Sequence, residues 1–250
     1  MSTPPENGGF IFRKNPNQIS CEQEVPDYPA SNLFSNNPNI IFMNDGHSTK
    51  IEMIYDTPTT LTAISIINHS IPSNAIIRLQ YFEGEFETWI GSIEIPWSKK
   101  SIYYKFSSIT YKSYRLYITE ISGTVIYIGE FVPGYYFQFP YNYEWGFEES
   151  FNVVKEVVTS DEGVHFEVPS SDAPEYSKFK VKFSNSPANN LSLFYDIIRI
   201  GKKVFIPDFT QPECYFGIVP DSAINAIRTI KGDEYSISFW QDAISGDWIE

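Results

Sequence analysis

Basic residues, cysteine and histidine are all scarce in this chain, and each shortage closes off a class of function. Lys and Arg number 18 against 31 Asp and Glu, a net charge of −13. A duplex-binding surface needs clustered Lys and Arg to displace counterions. None is visible, so neither nucleic acid nor an anionic membrane surface is an expected partner. The pairs Lys99-Lys100 and Lys202-Lys203 read as solvated turns. Only Cys21 and Cys214 occur, far apart. A domain of this size needs no disulfide, so both read as free, reduced thiols of a protein folded in a cytosol.

His47, His69 and His165 are the only histidines, and none has a partner at a useful spacing. There is no H-E-x-x-H, no paired C-x-x-C, no G-x-S-x-G and no phosphate-binding G-x-x-x-x-G-K-[ST]. Two cysteines and three scattered histidines fall short of a structural zinc site, so no metal or cofactor is expected. No apolar run approaches the ~20 residues of a membrane helix. The N-terminal MSTPPENGGF has neither the basic nor the apolar region of a secretory signal. Membrane insertion and export by the standard route are therefore not expected. Sustained 3.6-residue periodicity free of Pro and Gly is also missing, which disfavours helical bundles and coiled coils.

Carboxylates are abundant, and a glycosidase needs two of them ~5–10 Å apart. Glu148-Glu149 or Glu83, Glu85 and Glu87 could supply such a pair. With 31 carboxylates that follows by chance, and the latter three read as one exposed face of a hairpin. A Cys21–His69 nucleophilic pair is a geometric option. His69 reads instead as a turn residue with its ring hydrogen-bonded to nearby backbone. No catalytic residue is assigned, and the chain is not expected to be an enzyme.

What the chain does have is aromatic and β-branched side chains. It holds 20 Phe, 17 Tyr and 5 Trp, residue types that favour half-buried pleated surfaces. Strand-like runs follow at Lys50–Tyr55, Thr60–Asn68, Ala75–Phe82, Thr88–Ile95, Ile102–Phe106, Ser113–Thr119 and Thr124–Phe131. The run Ala63–Asn68 is almost continuously apolar, as a strand covered on both faces should be. Ala75–Phe82 alternates, with Ala75, Ile77, Leu79 and Tyr81 on one side and Arg78 and Gln80 on the other. Likewise Tyr114, Leu116 and Ile118 point inward. Seven short strands punctuated by Asp56/Pro58, Pro72, Gly84 and Ser122-Gly123 suggest a β-sandwich.

The first dozen residues read as a polar arm that orders only against a neighbour, and residues 15–39 as irregular wrapping segments. Pro133-Gly134 is the expected domain boundary, giving domains at 1–133 and 134–250. After an aromatic stretch, Tyr135–Phe147, a second β series follows. Val153–Thr159 and Val164–Val168 flank a hairpin turn at Ser160-Asp161-Glu162-Gly163. In Lys178–Phe183 the lysines alternate with Phe179, Val181 and Phe183. Ile197–Ile200 and Val204–Ile206 bracket a turn at Gly201-Lys202-Lys203, and Tyr235–Trp240 closes the fold. Asp221–Thr229, after Pro220, reads as a short helix. The first half carries 9 basic and 13 acidic residues and the second 9 and 18. Both are acidic, so apolar packing rather than opposite charge is expected to join them.

Several of these segments resemble a known family. Ser31-Asn32-Leu33, then the apolar strand ending at Asn68-His69, then a turn with Pro72 and a further strand, are similar to the galactose-binding-like (discoidin-type) jelly roll of phage minor tail proteins. The run Val125–Phe131, with its Gly129-Glu130 step, is similar to the last strand of such domains. Gly201–Asp208, Tyr215-Phe216-Gly217, Trp240 and Trp248-Ile249-Glu250 loosely resemble the second β domain of tail-tip proteins. Where that pattern has Trp soon after the tripeptide, this chain has Ile41-Phe42, so no binding residue is carried over.

The resemblance implies an all-β protein of two β-sandwich domains, the first a galactose-binding-like jelly roll. It implies a structural virion protein at the distal tail or baseplate of a phage, folded in the host cytoplasm. Its expected partners are copies of itself in a symmetric ring, with contacts from Tyr135–Phe147 or residues 1–39, and tail tube, baseplate hub or fibre proteins. The alternative is a carbohydrate-binding module or host-adsorption subunit recognising a surface glycan. Such folds bind through loops at one end, often with exposed aromatics, and some hold Ca²⁺. Trp89 and Trp97 flank one strand, and Asn36, Asn37, Asn44 and Asp45 lie in oxygen-rich loops. Core or interface positions for the tryptophans, and turns for the Asn cluster, are the preferred reading.

Overall fold

The computed structural model of the chain describes residues 7–84, 86, 88–99, 101–119, 125–138, 148–152, 155–159, 165–169, 176–186, 201, 203–208, 214–218, 224–229 and 232–241. The described elements are β-strands and one short 3-10 helix. The fold is all-β. The chain divides into two units: residues 1–140 with 202–216, and residues 141–201 with 217–250.

The first unit contains β1 (Asn7–Arg13), β2 (Gln18–Cys21), the 3-10 helix Ala30–Phe34, β3 (Phe42–Asn44), β4 (Thr49–His69), β5 (Ile76–Glu83), β6 (Thr88–Ile95), β7 (Ser101–Thr119) and β8 (Ile126–Gln138). The second unit supplies β9 (Glu148–Asn152), β10 (Lys155–Thr159), β11 (His165–Pro169) and β12 (Tyr176–Ser186). The chain then returns to the first unit for β13 (Lys203–Asp208) and the start of β14 (Tyr215–Ile218). It ends with β15 (Ile224–Thr229) and β16 (Gly232–Gln241) in the second.

In the first unit the strands run β6-β5-β7-β4-β8-β1-β13-β14, with β2 on β4 and β3 on β8. β4 and β7 are long enough to serve both layers of a sandwich. Thr49–Ile54 pairs with Ser113–Ile118 and Leu61–Ile67 with Ser101–Ile109, with register shifts between the two stretches. Such irregularities let one strand turn a corner from one sheet to the next. Tyr114 pins that corner: its hydroxyl donates to the Thr59 carbonyl at 2.6 Å and accepts the Tyr111 N–H at 2.9 Å. Burial raises the pKa of this phenol, so it stays protonated and able to donate.

The two layers meet over one core. Ile51, Met53, Ile77, Leu79, Tyr114, Leu116 and Ile118 come from one, and Leu61, Ile64, Ile66, Ile102, Ile126, Ile128 and Phe131 from the other. The alternation expected in Ala75–Phe82 and in Tyr114–Ile118 is present, with Ile77, Leu79, Tyr114, Leu116 and Ile118 all buried. The run Ile64-Ser65-Ile66-Ile67 is buried throughout, as a strand covered on both faces requires.

Three expectations are corrected in this unit. Residues 7–13 are not a free arm but an internal strand, β1, between β8 and β13, with Phe10 and Ile11 fully buried. Nor does Pro133-Gly134 interrupt the chain, because β8 runs straight through it. There the missing Cβ has another use: one built on Gly134 would collide with the Phe12 carbonyl. The glycine allows β1 and β8 to close up, a recognised role of strand glycine. Gly134→Ala should cost about 1–3 kcal/mol through forced backbone shifts, read as a lower urea midpoint. Finally, Lys203 sits in β13 opposite Phe12 and is fully buried, not solvated. Burial lowers its pKa to about 8.

Of the aromatic stretch, Tyr135–Gln138 belongs to β8, with Tyr136 buried and Tyr135 exposed. Residues 139–147 lie outside the described ones. In the second unit β12 pairs with β9 and β16, β15 pairs with β16, and β10 and β11 form a hairpin, all antiparallel. The turn expected at Ser160–Gly163, the run Ile197–Ile200 and Trp248–Glu250 lie outside the described residues. Residues 224–229 are a strand rather than part of a helix, since their backbone pairs with β16 from Ile224↔Ile237 to Thr229↔Gly232. A segment this short has little helical stability of its own, so the sheet ladder decides.

Candidate functional site

The three motif pieces singled out in the sequence come together around β8. Asn32 donates from its side-chain amide to the Ile41 carbonyl at 2.8 Å, and Leu33 is fully buried. Asn68, in the left-handed region at φ 52°, donates to the Pro38 carbonyl at 2.7 Å. That carbonyl also lies where a Cβ on Gly129 would be, so the 38–41 segment can press onto β8 only over a glycine. Glu130 is fully buried, pairs with Arg13 of β1 and receives the Asn36 N–H at 3.3 Å. The Arg13 guanidinium lies 5.5 Å from the ring centroids of both Phe34 and Phe216. Burial pushes the Arg13 pKa down, and the Glu130 carboxylate opposes that shift. The Arg13 and Glu130 side chains are buried and hold strands together, out of reach of a ligand.

His69 is the last residue of β4, paired with Ile128, rather than a turn residue, but its ring does hydrogen-bond nearby backbone as expected. Its Nδ1 accepts the Ile71 N–H at 3.2 Å. Burial lowers its pKa to about 4, against a smaller opposing effect of the Ser98 backbone, so it is neutral near pH 7. Cys21 is not its partner. The Cys21 thiol takes the Asn44 amide at 3.8 Å, and burial raises its pKa. Cys214 is buried against the Ser65 hydroxyl at 3.3 Å, with its pKa raised by burial to about 11. Both thiols are free. In native protein at neutral pH, iodoacetamide should modify Cys21 slowly and Cys214 only after unfolding, read by peptide mass spectrometry.

The oxygen-rich loops are likewise committed. Asn44 is fully buried, donating to the Gln23 carbonyl at 2.7 Å and accepting the Gly46 N–H at 3.0 Å. Asn37 accepts the Asn39 N–H, and Asn36 sits at φ 61°. Among the described residues no group of three or more His, Cys, Asp or Glu could hold a metal ion. Glu83 is exposed at the end of β5, while Glu85 and Glu87 lie outside the described residues. Glu148 and Glu149 lie in β9, opposite Lys180 and Phe179, and His165 pairs with Thr159. No helix among the described residues is long and apolar enough to cross a membrane.

The two tryptophans differ. Trp97 is 36% exposed and its indole N–H donates to the Ile71 carbonyl at 2.8 Å, a bracing contact. Trp89 is 60% exposed on the edge strand β6, beside Ile90 at 42%. Its cross-strand partner is Phe82, which packs on Phe86 with ring centroids 5.1 Å apart. Arg115 lies over both rings, 4.7 Å from Phe82 and 5.2 Å from Phe86, and its Nε donates to Glu52 Oε1 at 3.0 Å. The sequence flagged Trp89. It offered no sign that Glu52, Arg115 and Gln80 form a row across the same sheet face, because only strand register aligns them.

No protein-family model matches the chain. No curated protein matches it either. Among solved structures, a fucose-binding module of Streptococcus pneumoniae is similar over 50% of this chain and 95% of its own, at 8% identity and a TM-score of 0.43. A family 32 carbohydrate-binding module of Clostridium perfringens NanJ, in complex with galactose, covers 52% of this chain and 99% of its own, at 15% identity and a TM-score of 0.40. A further Clostridium perfringens module, in complex with GalNAc-β-1,3-galactose, covers 47% and 94%, at 16% identity and a TM-score of 0.39. These neighbours are carbohydrate-binding modules.

Proposed function

We propose that this chain is a non-catalytic binding protein of a phage tail, whose first unit is a galactose-binding-like jelly roll that recognises a glycan of the host surface. One observation carries this reading. The tripeptide Ser31-Asn32-Leu33, the Asn68-His69 strand end and the Gly129-Glu130 step, on which the resemblance to phage tail domains rests, are joined through the 38–41 segment and β8. They are far apart in sequence and serve one structural job. The virion tail is the proposed location, with folding in the host cytoplasm. The test is retention of the purified chain, displayed multivalently, on an array of bacterial-surface and mammalian glycans. Binding to one glycan class is expected, and no retention on any would overturn the reading.

A second reading, a structural subunit in a ring at the distal tail or baseplate, is favoured by one feature. Trp89 and Ile90 stand exposed on an edge strand, where unpaired backbone groups invite a neighbouring chain. A ring of several copies in native mass spectrometry, abolished by Trp89→Ala, would support that reading over the first.

A further inference from the structure

The outer face of β4, β7, β5 and β6 carries three cross-strand rows. Lys50, Tyr117, Arg78 and Glu94 stand in register in the first, and Glu52, Arg115, Gln80 and Ser92 in the second. Ile54, Ser113, Phe82 and Trp89 form the third. A solvated sheet face is normally polar, and the middle row alone would be unremarked. What sets this face apart is its aromatic third row. Phe82 points outward yet is buried, closed over by Phe86 and Arg115. Phe86 is held at φ 61°, a conformation that costs a non-glycine residue free energy. Trp89, the most exposed of the large apolar side chains among the described residues, stands next to them.

Arg115 is fixed before any ligand arrives. Two aromatic rings support its plane, and Nε and Nη2 both go to Glu52 Oε1. Among the described residues Glu52 Oε2, Arg115 Nη1 and the side chains of Gln80 and Ser92 make no hydrogen bond. The row therefore offers acceptors and donors side by side, with its Ser92 and Gln80 end nearest an open indole. The loop residues weighed as an alternative from the sequence are engaged internally, through the Asn37 and Asn44 side chains and the Trp97 N–H.

We propose that this sheet face, rather than the loops at the end of the sandwich, is the glycan-binding site. Trp89 stacks on the apolar face of a hexopyranose. Ser92 and Gln80, at the end of the middle row nearest Trp89, take hydroxyls of that ring, and Arg115 and Glu52, on the next two strands about 5 Å apart, take neighbouring hydroxyls of the adjoining sugar in the glycan. The inference rests on the glycan-recognising reading above. The ligand is a neutral sugar, because Arg115 is already paired with a carboxylate and Arg78 faces Glu94 at 3.5 Å.

The experiment is calorimetric titration of the intact chain with the strongest glycan from the array. Trp89→Ala should weaken binding about tenfold, the scale of one lost aromatic contact, and Gln80→Ala several-fold. Trp97→Phe, which removes only the indole N–H, should bind as the parent does. Near-UV circular dichroism confirms that each variant is folded, and Trp89 and Gln80 are not core residues. Unchanged affinity in both Trp89→Ala and Gln80→Ala would overturn this site while leaving glycan recognition standing. If the parent binds no glycan at all, the site and the functional reading fall together.

Discussion

Glu130→Gln should destabilise the first unit by about 3–5 kcal/mol, the scale expected when one partner of a buried ion pair is removed. The carboxylate is fully buried and the Arg13 side chain 5% exposed. With Glu130 neutralised, a guanidinium held between Phe34 and Phe216 keeps its charge and loses its counter-charge. Among the described residues its Nε and Nη1 make no hydrogen bond that would compensate. The double variant Arg13→Met/Glu130→Leu should recover most of the loss, since apolar replacements of buried pairs are often neutral or better. Urea denaturation of the three proteins checks this. A double variant no more stable than Glu130→Gln alone would show that the charge was not the cause.

The second large effect follows pH. His69 has an ordinary pKa of 6.5 when unfolded and about 4 in the folded protein, chiefly because it is buried. Between those values the unfolded chain binds a proton that the folded one does not. Stability is therefore whole above about pH 6.5, falls as pH drops, and levels off near pH 4, where both states are protonated. The full loss from this residue is on the order of 3 kcal/mol, at about 1.4 kcal/mol per unit of pKa. His69→Asn keeps an acceptor for the Ile71 N–H but cannot titrate. It should be less stable than the parent at pH 7 and show a flatter dependence from pH 6.5 to 4. Identical slopes in thermal melts across that window would refute the assignment.

How far the fold was legible depended on whether a strand's neighbours were near in sequence. Thr88–Ile95 was read with its observed limits because it pairs locally with β5 across the Gly84 turn. The inward residues of β5 and β7 were equally plain, since their alternation records one wet and one dry face. β1 was missed because its partners are β8 and β13, and no local pattern reveals that two distant strands will bury Phe10 and Ile11. Lys203 misled for the same reason: a lysine pair after a glycine reads as a turn until a strand is laid beside it. The motif residues were found by resemblance, but their work proved structural. The outer-face row escaped notice because Glu52, Gln80, Ser92 and Arg115 are ordinary surface residues until register lines them up.

The insertion of β1 between β8 and β13 also bears on how the protein is made. On a ribosome β1 emerges before both of its partners, and one of its two edges stays open until residues 203–208 have been synthesised. Pairing between opposite ends of a chain carries a loop-closure cost and slows folding. The first unit should therefore complete late, after most of the second has emerged, and not fold ahead of it as a leading domain commonly does. A nascent chain arrested near Pro140 would hold β1 against β8 on one side only, with Ile11 and Phe10 lacking their cover from Val204 and Phe205. Order of synthesis and order of folding are thus uncoupled here.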